Sequence, residues 1–313
     1  MTKTHVVTGG AGFIGSALVR ELQAHDGDSR IAVIDNLLTG YKKNLDGLSH
    51  PVDFHQIDIR DYDAIAPVIA GADTVFHLAA IPSVPKSIAD PIPSHDVNIN
   101  GTFAVLRAAK DGGVRRVVYA ASSSAYGDTE VLPKVESMKT LPRSPYALQK
   151  LVGEYYCNIF TVCFGLETIG LRFFNVYGPR QDPASPYSGV LSLFMKHLIA
   201  RTAPTIHGDG EQTRDFTYVA DVAGLVIKAS TAGVPGTTYN AGNGGRYSLN
   251  SIWSMLQKVE GVNIPPLYGA NRAGDVRDSQ ADTTAAKAEL GHDPRFSIED
   301  GLERTLAWYK TSL

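Results

Sequence analysis

The chain has 313 residues, 43% of them hydrophobic, which is enough material for one large or two modest domains. Its 29 basic and 32 acidic residues leave a formal net charge of -3, so there is no electrostatic footprint for nucleic acid or an anionic membrane surface. No apolar run approaches the ~18 residues of a membrane span, and the opening MTKTHVVTGG carries no signal-peptide pattern. Cys157 and Cys163 make no disulfide framework. Both fall in an apolar helical pattern and are expected as buried thiols in a reducing cytoplasm. With cysteine this sparse and no His pair at ligand spacing, no metal site is expected.

In chain order, short β-rich runs alternate with helical patterns through the first half. Residues 5–10 (HVVTGG) predict a strand entering a turn, and 13–25 (FIGSALVRELQAH) an amphipathic helix. Strands follow at 30–36, 52–59 and 73–80, then a helix ending on glycines at 100–113, then strands at 115–124 and 167–176. Strands apolar on both faces and separated by helices argue for a parallel sheet covered on both sides. That is the doubly wound α/β (Rossmann) class. Beyond about residue 177 Pro and Gly become dense (YGPRQDPASPYSG) and the rhythm changes. Helices are expected at 248–261 and 297–310, each preceded by a serine N-cap, with Asp300 forming a weak capping box on Ser297. The expected organisation is a dinucleotide-binding Rossmann domain over 1–176 and a smaller, mainly substrate-binding lobe over 177–313, with room for strands and helices to interleave between the two.

Between the first strand and the first helix, TGGAGFIG spaces Gly9, Gly12 and Gly15 three apart; Gly10, Gly12 and Gly15 also fit G-x-G-x-x-G. Missing side chains let the backbone approach a pyrophosphate, and the helix N-terminus favours its charge. Asp35 ends the second strand twenty residues after Gly15 (35 minus 15). An acidic residue there accepts the adenosine ribose hydroxyls and repels a 2'-phosphate, so NAD is expected over NADP. Asp58, after the third strand, is placed to meet the adenine or to cap the strand end.

SPYALQK sets Tyr146 and Lys150 four residues apart, on one face if the segment is helical. A free phenol titrates near ~10 and a neighbouring cation lowers that value, so the pair can act as a proton acceptor. AASSSAYG ends the fifth strand 22 to 24 residues before Tyr146. Strand C-termini in open α/β sheets face the ligand crevice, where Ser122, Ser123 or Ser124 can bond a substrate oxygen. His77 reads as a structural hydrogen-bonder.

These elements together resemble the extended short-chain dehydrogenase/reductase family. TGGAGFIG, DNL, HLAA, SSSAYG, PYALQK and LRFFNVYGPRQ occur in that family's order, and GDGEQTRDFTYVADV and GDVRDSQAD extend the likeness to its sugar-nucleotide branch. The likeness is strongest to UDP-hexose 4-epimerases, especially the bacterial type acting on UDP-N-acetylglucosamine, with its SVPKSIADP style of segment at 83–91. The resemblance implies that Tyr146 takes the proton from the sugar 4-hydroxyl as hydride leaves carbon 4. Lys150 would lower the phenol pKa and hold the nicotinamide ribose. A serine of 122–124 would be the hydroxyl partner. SSSAYG is one residue shorter than the common form, so the alignment leaves the serine open, with Ser123 preferred.

By the same resemblance, NAD would be bound by Gly9, Gly12, Phe13, Ile14, Gly15, Asp35, Asn36, Leu37, Thr39 and Gly40. Asp58, Ile59, Leu78, Ala79, Ala80, Asn98, Tyr146, Lys150 and Phe174 would complete that site. The UDP-sugar would meet Ser83, Ser122, Asn175, Val190 and Ser279, and its diphosphate Arg214 and Arg272, with Asp275 nearby and Arg277 as a further candidate. Ser279 falls where a bulky tyrosine restricts some epimerases to UDP-glucose and UDP-galactose. A small residue there leaves room for an N-acetyl group. A homodimer paired through the Tyr146 helix and the helix at 100–113 is implied as well. The alternatives are another NAD-dependent UDP-sugar enzyme, such as a UDP-glucuronate decarboxylase, and a non-catalytic NAD-sensing protein. Dehydratases usually carry TDE where this chain has SSS, and sensing proteins commonly lose the Tyr or Lys kept here.

Overall fold

β-branched runs that are apolar on both faces need cover on both sides, and this chain supplies it. The computed structural model describes residues 3–182, 189–270 and 276–312. Its central sheet contains β1 (Thr4–Thr8), β2 (Arg30–Ile34), β3 (Asp53–His55), β4 (Thr74–His77), β5 (Arg116–Ser122) and β6 (Glu167–Phe173). A seventh strand, Thr237–Ala241, pairs with β6, and the order from that edge is then β6, β5, β4, β1, β2, β3. All the pairings are parallel.

The sheet's two faces are read from its period of two. Val6, Val75 and Val117 point into a core shared with Val105 and Leu106 of helix Thr102–Asp111 and with Phe160 of helix Pro145–Phe164. Val7, Val33 and Val118 point the other way, against Leu18 of helix Phe13–His25 and Val222 and Val226 of helix Val219–Ala229. A third core gathers Phe194, Trp253, Leu256, Leu302 and Tyr309 from the helices Val190–Ile199, Leu249–Glu260 and Ile298–Ser312. Each such side chain contributes roughly 1.5–3 kcal/mol on burial.

The sheet strands at 30–34, 53–55 and 74–77 end earlier than their apolar runs suggest, because the residues beyond their C-termini turn out towards the ligand side, while the strand at 116–122 ends where the chain enters the short turn Ser123–Tyr126. The sixth run, expected as one strand over 167–176, is broken. Asn175–Tyr177 leaves the sheet and pairs with Phe216–Tyr218, beginning where the Asn175 amide donates to the Asp215 carbonyl at 3.1 Å. The chain after residue 177 also returns to the central sheet through Thr237–Ala241, so the sheet takes strands from both sides of the 176/177 boundary.

The helix that carries Tyr146 is defined at both ends. Ser144 accepts from the Ala147 amide at 3.2 Å, Pro145 opens the first turn, and Gly165 closes the helix in the left-handed conformation. Helix Leu249–Glu260 starts on Ser248, and Ser297 caps helix Ile298–Ser312 while bonding the Asp300 carboxylate at 2.7 Å. Cys157 is buried, but Cys163 is exposed. Six positions along a helix turn a side chain through about 240°, so the two cysteines cannot share the core-facing side.

Candidate active site

The glycine loop shows by close approach why it has no side chains. Gly9 has φ 71°, and a Cβ there would lie 2.7 Å from the Ala79 amide nitrogen after β4. A Cβ on Gly15 would lie 2.1 Å from the Gly9 carbonyl oxygen. The loop is therefore drawn tightly against both β4 and the start of helix Phe13–His25. Asp35, at the end of β2, accepts from the Ala11 amide at 2.9 Å and the Leu37 amide at 2.8 Å. Burial pushes its carboxyl up, and those backbone donors oppose the shift. The carboxylate thus organises the loop itself. Each of its oxygens keeps acceptor capacity for a further donor.

A cleft of about 750 Å³ runs from this loop across the C-terminal ends of the strands. Gly9, Gly12, Phe13, Ile14, Gly15, Asp35, Asn36 and Thr39 line one end. Ile59, Leu78, Ala79, Ala80 and Ser83 line the middle, and Ser122, Tyr146, Lys150, Phe174 and Asn175 the other side. The glycine cradle, the acidic residue at the end of β2 and the cleft between them fit a dinucleotide without a 2'-phosphate.

On the other side of the cleft, Ser122 is the last residue of β5 and lines it. Its hydroxyl is hydrogen-bonded with Tyr146 and accepts from the Ser124 hydroxyl at 2.9 Å. Ser123, the serine preferred from the sequence, does not line the cleft; it starts the short turn Ser123–Tyr126. The pleat of β5 brings its last residue to the site, and the chain then turns away. Ser124 reaches the site only through Ser122.

Lys150 lies one turn beyond Tyr146 and is buried, and its ammonium donates to the Ala120 carbonyl of β5 at 2.9 Å. Burial lowers its pKa to about 8, with Glu154 and Cys157 pulling the other way. The Tyr146 phenol behaves differently from the expectation. Burial in the cleft wall pushes it up, and the opposing pull comes from its hydrogen bond with Ser122, while the lysine is engaged with the Ala120 carbonyl. His77 bonds Thr8 at 2.8 Å and Thr102 at 2.9 Å through its two ring nitrogens, and burial lowers it to about 3, as suits a structural neutral imidazole.

Several expected contacts act one step away from the cleft. Gly40 packs on the glycine loop, with a Cβ position 2.8 Å from the Ala11 carbonyl carbon, and Leu37 has φ 61°. Asp58 is taken up by Arg60 and Asn36, and the Arg60 hydrogen bonds hold its carboxyl down at about 2. Asn98 is fully buried and braces the segment after β4, accepting from the Ile81 amide at 2.8 Å and donating to its carbonyl at 3.2 Å. Val190 opens helix Val190–Ile199 and packs on the C-terminal core. Arg214 donates to the Thr213 and Arg277 carbonyls at 2.9 and 2.8 Å, and Arg277 pairs with Asp209. Arg272 and Asp275 lie outside the described residues. Ser279 reaches the cleft through a neighbour: its hydroxyl accepts from the Asn175 amide group at 3.4 Å.

Other cleft residues went unnoticed in the sequence, among them Lys86, Tyr41, Gln181 and Asp182. Tyr41 donates to the Asp182 carboxylate at 3.0 Å across 141 positions of sequence, a juxtaposition no local pattern announces. Lys86 lies within the SVPKS segment and was legible only as part of that motif.

The model of the NAD dependent epimerase/dehydratase family matches residues 5–242. A putative UDP-glucose 4-epimerase from Methanocaldococcus jannaschii is 35% identical over 309 residues, covering 98% of each chain. Among solved structures, a UDP-N-acetylglucosamine 4-epimerase from Methanobrevibacter ruminantium, in complex with UDP-N-acetylmuramic acid, superposes with TM-score 0.95 at 35% identity, covering 100% of this chain and 99% of that one. A Thermus thermophilus UDP-glucose 4-epimerase in complex with NAD superposes with TM-score 0.89 at 31% identity, covering 99% of this chain and 100% of that one. With its glycine cradle, acidic β2 terminus and Ser122–Tyr146–Lys150 arrangement, the chain belongs to the NAD dependent epimerase/dehydratase family.

Proposed function

We propose that this protein interconverts UDP-sugars epimeric at carbon 4 through a 4-keto sugar, with UDP-GlcNAc and UDP-GalNAc as favoured substrates and UDP-glucose and UDP-galactose also accepted. The observation that carries the reading is the meeting of Ser122, Tyr146 and Lys150 in one cleft with the glycine cradle. NAD, when bound along Gly9, Gly12, Gly15 and Asp35, supplies a hydride acceptor that can return the hydride, so no external reductant is needed. Tyr146 accepts the proton of the 4-hydroxyl at its phenol oxygen and later gives it back. Ser122 holds the same substrate oxygen and orients the phenol. Lys150 supplies positive charge beside the phenolate as it forms.

The choice of sugar rests on Ser279. Its small side chain stands behind Asn175, which lines the cleft. Residues 1–176 would serve mainly the cofactor and 177–313 mainly the UDP-sugar, with Arg214 and Arg272 towards the diphosphate, where guanidinium makes bidentate bonds. A cytoplasmic homodimer completes the proposal. Leu148, Tyr155, Ile159 and Val162 form one exposed apolar stripe on the Tyr146 helix, with Val162 72% exposed. Light scattering that finds only monomer at micromolar concentration would remove the dimer.

The test is incubation of purified protein with UDP-GlcNAc, UDP-glucose and UDP-glucuronate without added reductant, with products identified by NMR. Carbon-4 epimers are expected, with UDP-GlcNAc turned over efficiently. Release of carbon dioxide from UDP-glucuronate, with no epimer formed, would favour the decarboxylase.

A further inference from the structure

Tyr119 of β5 lies outside the cleft, yet it packs on the helix that carries Tyr146, against Lys150 and Gly153. Its ring is fully buried, and the Lys150 ammonium stands over it, 5.0 Å from the ring centroid. Its hydroxyl donates to the Lys150 backbone carbonyl at 3.2 Å. A carbonyl oxygen with one helical partner has a second lone pair for this bond. The contact needs Gly153: a Cβ there would sit 2.2 Å from the Tyr119 hydroxyl oxygen. The next residue of β5, Ala120, takes the Lys150 ammonium's hydrogen bond, and the strand ends on Ser122. One short piece of β5 therefore fixes Lys150 by its head, its ring contact and its backbone. The same piece carries the serine partner of Tyr146.

We propose that Tyr119 is a positioning residue for Lys150: its ring face keeps the ammonium charged, and its hydroxyl clamps the Lys150 turn of the helix to β5. The inference rests on the reading of Tyr146 and Lys150 given above. The face of an aromatic ring attracts a cation within about 6 Å, and the attraction grows when both are out of water. That attraction opposes the burial that lowers the Lys150 pKa. The other titratable groups facing Lys150 are Tyr146, Glu154 and Cys157 on its own helix and His77 from β4, with Glu154 itself paired to Arg172 of β6. His77 also packs on the Tyr119 ring, with centroids 5.7 Å apart, and burial keeps its imidazole neutral.

The test compares wild type, Tyr119→Phe and Tyr119→Leu as holoenzymes. Protein labelled with [13C]lysine reports the Lys150 titration, its Cε resonance identified by its loss in Lys150→Arg. In Tyr119→Leu the titration falls by about one pH unit, and the basic limb of the kcat profile falls with it. In Tyr119→Phe the ring remains, so the titration stays, while loss of the hydroxyl clamp lowers kcat by about 5-fold at unchanged KM. If Tyr119→Leu does not fold, pentafluorophenylalanine at position 119 keeps the outline, reverses the charge of the ring face and gives the same fall. A Lys150 titration left at the wild-type pH in the ring-altered protein overturns the role of the ring. Wild-type kcat in Tyr119→Phe overturns the clamp. A wild-type protein that shows the Lys150 titration but epimerises no UDP-sugar would defeat the proposed function and leave the ring's hold on Lys150 standing.

Discussion

Two alanine substitutions in the glycine loop separate fold from cofactor binding. Gly15→Ala puts a Cβ 2.1 Å from the Gly9 carbonyl oxygen and 2.8 Å from the Gly10 Cα, both backbone atoms. The oxygen must recede by about 1.3 Å to reach the 3.4 Å of ordinary contact, which displaces either the loop or the helix start. Such overpacking costs typically ~1–3 kcal/mol, and the better helix propensity of alanine returns up to ~1 kcal/mol. Gly12→Ala is different. Its backbone is extended, with φ -77°, and the new Cβ meets only the Gly9 oxygen at 3.1 Å. The fold should accept it within ~0.5 kcal/mol. Yet Gly12 lines the cleft, so the methyl group stands where a pyrophosphate would approach. The assay is a thermal melt of cofactor-stripped protein together with the NAD released by denaturing the purified enzyme. Gly12→Ala should melt within about 1 °C of wild type, since ~1 kcal/mol shifts a chain of this size by a few degrees at most, but hold little NAD. Gly15→Ala should lose both stability and NAD. Full NAD content in Gly12→Ala, or equal destabilisation by both substitutions, would refute the cradle argument.

Tyr146→Phe removes the proton acceptor and keeps the ring, so turnover should fall by ~10²–10⁴-fold while UDP-sugar affinity changes little; steady-state kinetics with a binding titration checks this. Lys150→Met should abolish most turnover yet stabilise the cofactor-stripped protein. Lys150 has a folded pKa of about 8 against 10.5, so folding favours its neutral form, and the penalty for carrying the charge is complete below pH 8. The gain at pH 7, at most ~3 kcal/mol, should fade as pH rises from 8 towards 10.5; urea denaturation across that range measures it, and a Met variant less stable at pH 7 would contradict it. Ser279→Tyr should lower kcat/KM for UDP-GlcNAc and UDP-GalNAc while sparing UDP-glucose and UDP-galactose, because a packed wall relaxes only partly. Equal losses on both pairs would mean that residue 279 does not select the sugar's 2-substituent.

The parts of the site legible in the sequence are those set by local spacing. Gly9, Gly12 and Gly15 with Asp35 announce the cradle because strand, turn, helix and strand follow in a fixed order, and the cleft holds all four. Tyr146 and Lys150 announce a shared helix face by their spacing, and both line the cleft. What the sequence hides depends on distant partners. Ser122 rather than Ser123 faces the cleft because of where the β5 pleat ends, and three consecutive serines look alike in a string of letters. The break at Phe174 depends on pairing between Asn175–Tyr177 and Phe216–Tyr218, some forty residues apart. Thr237–Ala241 completes the sheet only by pairing with β6, some seventy residues earlier in the chain. Asp58 lies where an adenine contact is expected, and Arg60 claims its carboxylate. The direction of the Tyr146 shift also needs the structure, because burial outweighs the influence that a nearby lysine suggests.

In the proposed reaction one enzyme takes hydride from carbon 4 and returns it to the other face of the same carbon. UDP-GlcNAc and UDP-glucose carrying deuterium at carbon 4 test this directly, in ordinary water, with no added nucleotide reductant. The epimeric product is expected to keep its deuterium at carbon 4, as read by NMR and mass spectrometry. Epimer that has exchanged the label for solvent hydrogen, or that forms only when a reductant is supplied, would contradict the claim.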